Sequence, residues 1–286
     1  MDACRIVELD EGKLERSGTG PPLYFASAMP SAPSPPKAVL AMVPGYADHG
    51  ARYAHVMGAL AEHGIGSVVI DLRGHGRAGG TRGYLDRFGD VLDDVDELRK
   101  LAERKAGGAP LFLFGHSFGG LVATTSVLER GGPWKGLVMS GPFFGFALAV
   151  PRAKILAGKI ASRLVPKLAL PTGLSGQHVT HDPVKAAAYD SDPLVFKNAT
   201  ARWFTETTAA QARALRDAGR LTLPLYVTFG AADPIASFTA GKRFFDAAGS
   251  VDKTWDPREG LFHEVLNEPS WKDIVEPIAR WILAKA

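Results

Sequence analysis

The segment Leu111-Phe112-Leu113-Phe114-Gly115-His116-Ser117-Phe118-Gly119-Gly120-Leu121-Val122-Ala123 constrains this chain more than any other. It opens on a short apolar run with two aromatics, which reads as a buried strand. The run stops at Gly115-His116-Ser117-Phe118-Gly119, and a helical stretch begins at once. Gly-x-Ser-x-Gly between a strand and a helix is the pattern of a nucleophile elbow. Such a turn is so tight that the residues two before and two after the serine press on neighbouring strands, where a β-carbon would clash. Ser117 is then held in a strained backbone conformation with its hydroxyl clear of the sheet. The amide of Phe118, at the positive end of the following helix, faces the place where an oxyanion would form. The bland alternative is a Gly-rich turn with a surface serine. An acid and a histidine following in that order separate the two readings.

The chain around the elbow alternates strands and helices. Arg5–Asp10 and Leu23–Ala28 read as opening strands on either side of a Gly-rich turn, and Pro30–Pro36 as a surface loop. Ala38–Val43 is wholly apolar, as expected of a strand covered on both faces. Arg52–Glu62 shows helical periodicity through Tyr53, Val56, Met57 and Leu60, and Ser67–Asp71 is the next strand. Phe88–Lys105 reads as a charged amphipathic helix and Lys135–Ser140 as another strand. Strand-helix alternation of this kind indicates a parallel sheet with right-handed crossovers. Beyond the middle of the chain, Pro224–Gly230 and Lys253–Trp255 read as strands, Lys242–Ala248 and Trp271–Lys285 as helices.

Gly74-His75-Gly76-Arg77-Ala78-Gly79 matches Gly-x-Gly-x-x-Gly. A dinucleotide site needs those glycines to open directly into a helix, and Gly80-Thr81-Arg82-Gly83 follows instead. Without a Lys-Ser/Thr pair it is no P-loop either. The expectation is a tight surface loop, with no cofactor.

From Gly141 to about Thr208 the alternation breaks. Phe143, Phe144, Phe146, Leu148 and Val150 crowd together, and Pro151–Leu170 carries Arg152, Lys154, Lys159, Arg163 and Lys167 with no acid. Ile155, Leu156, Ile160 and Leu164 lie on one side of a helix. Either that face packs on the domain as a cap, or it meets lipid with the cations near anionic headgroups. The two readings are compatible. The division expected is a core of 1–141 and 209–286 with a cap at 142–208.

Ligands of an open α/β sheet bind outside the carboxyl ends of its strands. Ser117, Asp233 and His263 all follow strands at that edge, in the order Ser, Asp, His. Of the eight histidines only His263 follows the last strand. Asp256 and Glu259 compete for the acid, but Asp233 alone ends a full-length central strand. Ser140 also ends a strand, without flanking glycines, and reads as a turn residue. In the roles this order assigns, Ser117 attacks an ester carbonyl, His263 relays its proton, and Asp233 holds the imidazole tautomer.

Tyr46-Ala47-Asp48-His49-Gly50-Ala51-Arg52-Tyr53, Asp71-Leu72-Arg73-Gly74-His75-Gly76, the elbow, Gly260-Leu261-Phe262-His263-Glu264 and Asn267-Glu268-Pro269 together resemble the monoacylglycerol lipase and lysophospholipase group of α/β-hydrolases, the serine aminopeptidase S33-like hydrolases. The resemblance runs from about Ala38 to the end of the chain and is weakest in the cap. It implies an α/β-hydrolase fold: a mostly parallel sheet of about eight strands, helices on both faces and a helical cap insertion. It also implies a serine hydrolase of single-chain lipid esters with no metal or organic cofactor, and a mobile cap able to meet a membrane. By the same carry-over the backbone amide of Tyr46 is the second oxyanion donor, beside that of Phe118. The family usually has His-Gly before the oxyanion residue, where this chain has Pro44-Gly45, so the supporting bonds of the loop must differ.

A chain of 286 residues suffices for one large α/β domain or two small ones, and a net charge of +3 is too weak to argue for nucleic acid. The single cysteine, Cys4, leaves no intramolecular disulfide. With no signal-peptide core and no apolar stretch of membrane-spanning length, the expectation is a cytoplasmic protein with peripheral membrane contact through the cap. An acyltransferase on the same three residues, or a non-catalytic ligand-binding relative, are the rival functions. A carboxylate-nucleophile enzyme is excluded by Ser117.

Overall fold

The computed structural model describes residues 9–16, 18–31 and 35–286. The chain opens with β1 (Asp10–Leu14), β2 (Leu23–Ala28) and β3 (Ala38–Val43), followed by α1 (Ala54–Glu62) and β4 (Ile65–Asp71). Then come α2 (Phe88–Ala106), β5 (Leu111–His116), α3 (Phe118–Arg130) and β6 (Trp134–Ser140). After β6 come α4 (Arg152–Leu164), β7 (Ala169–Pro171), α5 (Gly176–Val179), α6 (Pro183–Ser191), β8 (Asn198–Thr200) and α7 (Ala201–Asp217). The chain closes with β9 (Leu225–Gly230), α8 (Phe238–Ala247), β10 (Lys253–Arg258) and α9 (Lys272–Leu283). Of the strand expected at Arg5–Asp10, residues 5–8 lie outside the described residues, as does Cys4. Residues 32–34 of the expected Pro30–Pro36 loop do too.

The eight-stranded sheet runs β1-β2-β4-β3-β5-β6-β9-β10. β1 and β2 pair antiparallel with each other, β2 pairs antiparallel with β4, and every other pairing is parallel. Side chains alternate across a strand, so the wholly apolar β3 feeds two cores at once. Val39, Ala41 and Val43 join one core with residues of α2, α3, α7 and α8. Ala38, Leu40 and Met42 join the other with residues of α1 and α9. β5 divides likewise, Leu111 and Leu113 to the first and Phe112 and Phe114 to the second. Burying each of the Val, Leu, Met and Phe side chains among these contributes roughly 1.5–3 kcal/mol, which stabilises the strands that carry the elbow.

The glycine-rich 74–79 segment is a tight loop closed by Gly74 N–H donating to Gly79 O at 2.8 Å. It is less superficial than expected: Gly74, His75 and Gly76 are buried, and a β-carbon on Gly76 would lie 2.2 Å from Asp71 Oδ2. The loop packs on β4's end and opens into no helix.

Within residues 142–208, α4 ends at Leu164, because Pro166 disfavours helical backbone at Val165 (φ −139°, ψ 63°). Residues 169–171 pair with 198–200 as a small antiparallel ribbon. The facing of α4, which its amphipathicity left open, is set by its small residues. Its small residues meet α7: a β-carbon on Gly158 would stand 3.1 Å from the Phe204 ring, and Ser162 Oγ bonds Thr205 Oγ1 at 2.7 Å. Leu156, Ile160 and Leu164 of the apolar stripe therefore point outward, Leu156 61% and Leu164 76% exposed, while Ile155 is half-buried. Helix α7 continues through Thr208 without a break, so its first turns carry α4 and its later turns lie in the core.

Candidate active site

The elbow glycines are explained by contact distances. A β-carbon on Gly115 would lie 2.3 Å from Gly119 O, and one on Gly119 would lie 2.1 Å from Val43 O. Both clashes are with backbone that cannot yield. Ser117 has φ 53° and ψ −120°, a conformation that costs a non-glycine residue of the order of 1–3 kcal/mol. Hydrogen bonds overdetermine it: Ser117 N–H donates to Ser140 O at 2.9 Å, and Ser117 O accepts from Phe143 N–H at 3.0 Å.

The hydroxyl of Ser117 donates to His263 Nε2 at 2.7 Å, and His263 Nδ1–H donates to Asp233 Oδ2 at 2.7 Å. Asp233 Oδ1 is held by the amides of Ile235 at 2.8 Å and Ala236 at 2.9 Å. All three residues are buried. The three residues picked from the sequence thus meet in one hydrogen-bonded chain, the arrangement that lets an imidazole remove a serine proton. Burial favours the neutral imidazole, but Asp233, with Glu264 and Asp48 behind it, raises the His263 pKa above its ordinary 6.5. The His116 ring lies beside it, tilted by 50° with ring centroids 4.9 Å apart, and burial pushes its pKa down to about 4, so it stays neutral. The competing acids stand elsewhere. Asp256 binds Tyr226 Oη at 2.7 Å and Arg258 Nη2 at 2.6 Å, and Glu259 is exposed.

Phe118 opens α3, whose leading N–H groups have no acceptor within the helix. Tyr46 follows β3 in a loop turned by Ala47 at φ 61°, and a β-carbon on Gly45 would lie 3.3 Å from Ser117 Cβ. Pro44 leaves the loop one donor short, and Asp48 supports it: its carboxylate accepts from Gly45 N–H at 3.4 Å and His49 N–H at 2.8 Å. The Tyr46 ring packs on Trp203 with centroids 3.8 Å apart, and its hydroxyl lies 3.0 Å from both Gly83 O and Asn198 O.

Above Ser117 is a cavity of about 350 Å³. Phe143, Phe146, Leu174, Phe196, Trp203, Phe204 and Ile235 make its walls largely apolar, and Leu148 stands at its lining although 81% exposed. Among the described residues no group of three or more His, Cys, Asp or Glu converges in a way that could hold a metal ion. No helix among them is long and apolar enough to cross a membrane.

The family model described as serine aminopeptidase, S33 matches residues 34–270. The chain belongs to this family. A monoacylglycerol lipase of Mycolicibacterium smegmatis is 30% identical over 87% of this chain and 89% of its own. The phospholipase YtpA of Bacillus subtilis is 29% identical over 84% and 92%. The crystal structure of Paleococcus ferrophilus monoacylglycerol lipase matches at a TM-score of 0.82 and 26% identity, covering 92% of this chain and 99% of that one. This S33-family protein is accordingly an α/β-hydrolase of the monoacylglycerol lipase and carboxylesterase type.

Sequence reading of this S33-family chain overlooked the charges behind the site. Arg52 pairs with both Asp48 and Glu264, and Glu268, fully buried, accepts from Phe262 N–H at 2.9 Å and His181 N–H at 2.8 Å. All four lie in the motifs that carry the resemblance, which was the available signal. Arg52 and Asp48 stand four residues apart, but Glu264 lies 212 positions from Arg52 and Glu268 lies 87 from His181, so spacing could not join them into one site.

Proposed function

We propose that this protein hydrolyses single-chain lipid esters through an acyl-enzyme formed on Ser117. His263 takes the Ser117 proton as Oγ attacks the ester carbonyl, and the oxyanion is received by the amides of Tyr46 and Phe118. Collapse breaks the ester C–O bond, and His263 returns the proton to the leaving alcohol. Water repeats the sequence and releases the fatty acid. Asp233 keeps Nδ1 protonated throughout. The observation that carries this reading is the Ser117–His263–Asp233 chain at the floor of an apolar cavity. The relatives' names include both a monoacylglycerol lipase and a phospholipase, so the leaving group is the open variable. An ester panel from acetyl to oleoyl, with monoacylglycerols and lysophospholipids, tests it: turnover is expected to favour lipid esters over acetate. Turnover of none of them, with no fluorophosphonate labelling, would leave a ligand-binding protein. Acyl transfer to added glycerol in preference to water would make it a transferase.

The raised His263 pKa sets the pH dependence. Proton removal needs neutral imidazole, so kcat/KM is expected to fall as pH is lowered through a single-proton midpoint above 6.5. A rate profile over roughly pH 5 to 9 checks this. A flat acid side would mean that His263 is not the base.

We also propose that residues 142–208 form a cap that meets lipid surfaces. Its support is the outward stripe of α4 flanked by exposed Arg152, Lys154, Lys159, Arg163 and Lys167. Each cation near an anionic surface contributes about 1 kcal/mol, an attraction that salt screens beyond roughly 8–10 Å. Lys154→Glu with Lys159→Glu is expected to weaken sedimentation with anionic liposomes by about tenfold or more and to leave hydrolysis of a short soluble ester near wild type. Equal pelleting would leave the cap as a pocket roof alone.

A further inference from the structure

Behind the reacting residues lie two buried carboxylates, Asp48 and Glu264, and the half-buried guanidinium of Arg52, which none of the steps above uses. Arg52, in the short turn Gly50–Tyr53, donates through Nη1 to Asp48 Oδ1 at 2.8 Å and to Glu264 Oε1 at 2.8 Å. Its Nη2 donates to Glu264 Oε2 at 2.6 Å. The carboxylates are held from their far sides as well. Tyr53 Oη donates to Asp48 Oδ2 at 2.7 Å, and Asn267 Nδ2 donates to Glu264 Oε2 at 2.8 Å. The Tyr189 ring of the cap covers the guanidinium, 5.0 Å from its centroid.

The placement of these partners gives the arrangement its meaning. Asp48 stands two residues after Tyr46, and Glu264 is the residue after His263. The loop of Tyr46 leaves β3 and the loop of His263 leaves β10, and β5, β6 and β9 lie between those strands in the sheet. No strand pairing joins the two loops directly; Arg52 does. Burial opposes charge on both carboxylates, yet the guanidinium beside them holds Asp48 at about 2 and lowers Glu264. Both remain ionised, and the pairing is a fork of fixed geometry that a point charge does not reproduce.

We propose that Arg52 is a positioning residue that clasps the loop of Tyr46 to the loop of His263, fixing the oxyanion amide relative to the imidazole during acyl transfer. The proposal rests on the catalytic reading given above. Misplacement by about 1 Å costs on the order of a hundredfold in rate, so a clasp of this kind acts on kcat and not on ground-state binding.

The test measures kcat, KM and the thermal midpoint on a short soluble ester for wild type, Arg52→Lys, Glu264→Gln and the double variant. Lysine keeps the charge but cannot hold both carboxylates in a fork, and glutamine keeps the shape of residue 264 should Arg52→Lys not fold. Each single variant is expected to lose at least about thirtyfold in kcat, with KM within about threefold and a little-changed thermal midpoint. The double variant is expected to be no worse than the poorer single one, since both break the same link. An active wild type with full kcat in the single variants, or losses that add in the double variant or merely track the thermal midpoint, would overturn the clasp alone. A wild type that turns over no ester would remove the catalytic reading and the clasp with it.

Discussion

Ser117→Ala is expected to lower kcat on an aryl ester at least about a thousandfold, with the residual rate supplied by binding and the oxyanion donors. The substitution removes only Oγ, which donates to His263 Nε2 at 2.7 Å. Residue 117 keeps its N–H bond to Ser140 O and its carbonyl bond from Phe143, and alanine meets the same backbone strain at φ 53° that serine does. The fold is therefore expected to survive, with a thermal midpoint close to wild type. Fluorophosphonate labelling of the intact protein should disappear with the activity. A variant that kept a tenth of the rate would place the nucleophile elsewhere.

Asp233→Asn is expected to cost on the order of 10⁴-fold in kcat, again without unfolding the protein. The reason lies in what surrounds the carboxylate. Oδ1 accepts two backbone N–H groups, from Ile235 and Ala236, while Oδ2 accepts from His263. An asparagine there must turn its oxygen toward the two amides, since its NH₂ cannot face them. That leaves NH₂ donating to Nδ1, so the imidazole carries its proton on Nε2 and cannot accept one from Ser117. Asp256→Asn is the control. It loosens contacts to Tyr226 of β9 and Arg258 of β10, and kcat should stay within about twofold, as for a partly exposed ion pair. The opposite pattern would transfer the acid role to Asp256.

Much of this protein was legible in its sequence because the deciding forces act between near neighbours. The apolar run of β3 matched the observed strand residue for residue, and the parallel sheet followed from the order of the elements. At Gly115 and Gly119 the clash a β-carbon would make is with the turn itself or with the adjacent strand end, so the pentapeptide carries its own geometry. The end of α4 was also written locally, in Pro166.

Tertiary structure decided the rest. Amphipathicity marked a stripe on α4 but not its direction. That was settled by Gly158 and Ser162, which fit closely against α7 and turned Leu156, Ile160 and Leu164 toward solvent. Strand position favoured Asp233 over Asp256 in the sequence, and the folded sheet supplies the contact itself, Asp233 Oδ2 at 2.7 Å from His263 Nδ1. Arg52 reaches Glu264 across 212 positions of the chain. Periodicity, capping and turn chemistry report interactions over a few residues; a contact of that span depends on strand order and on the paths of two loops, which exist only once the sheet has formed.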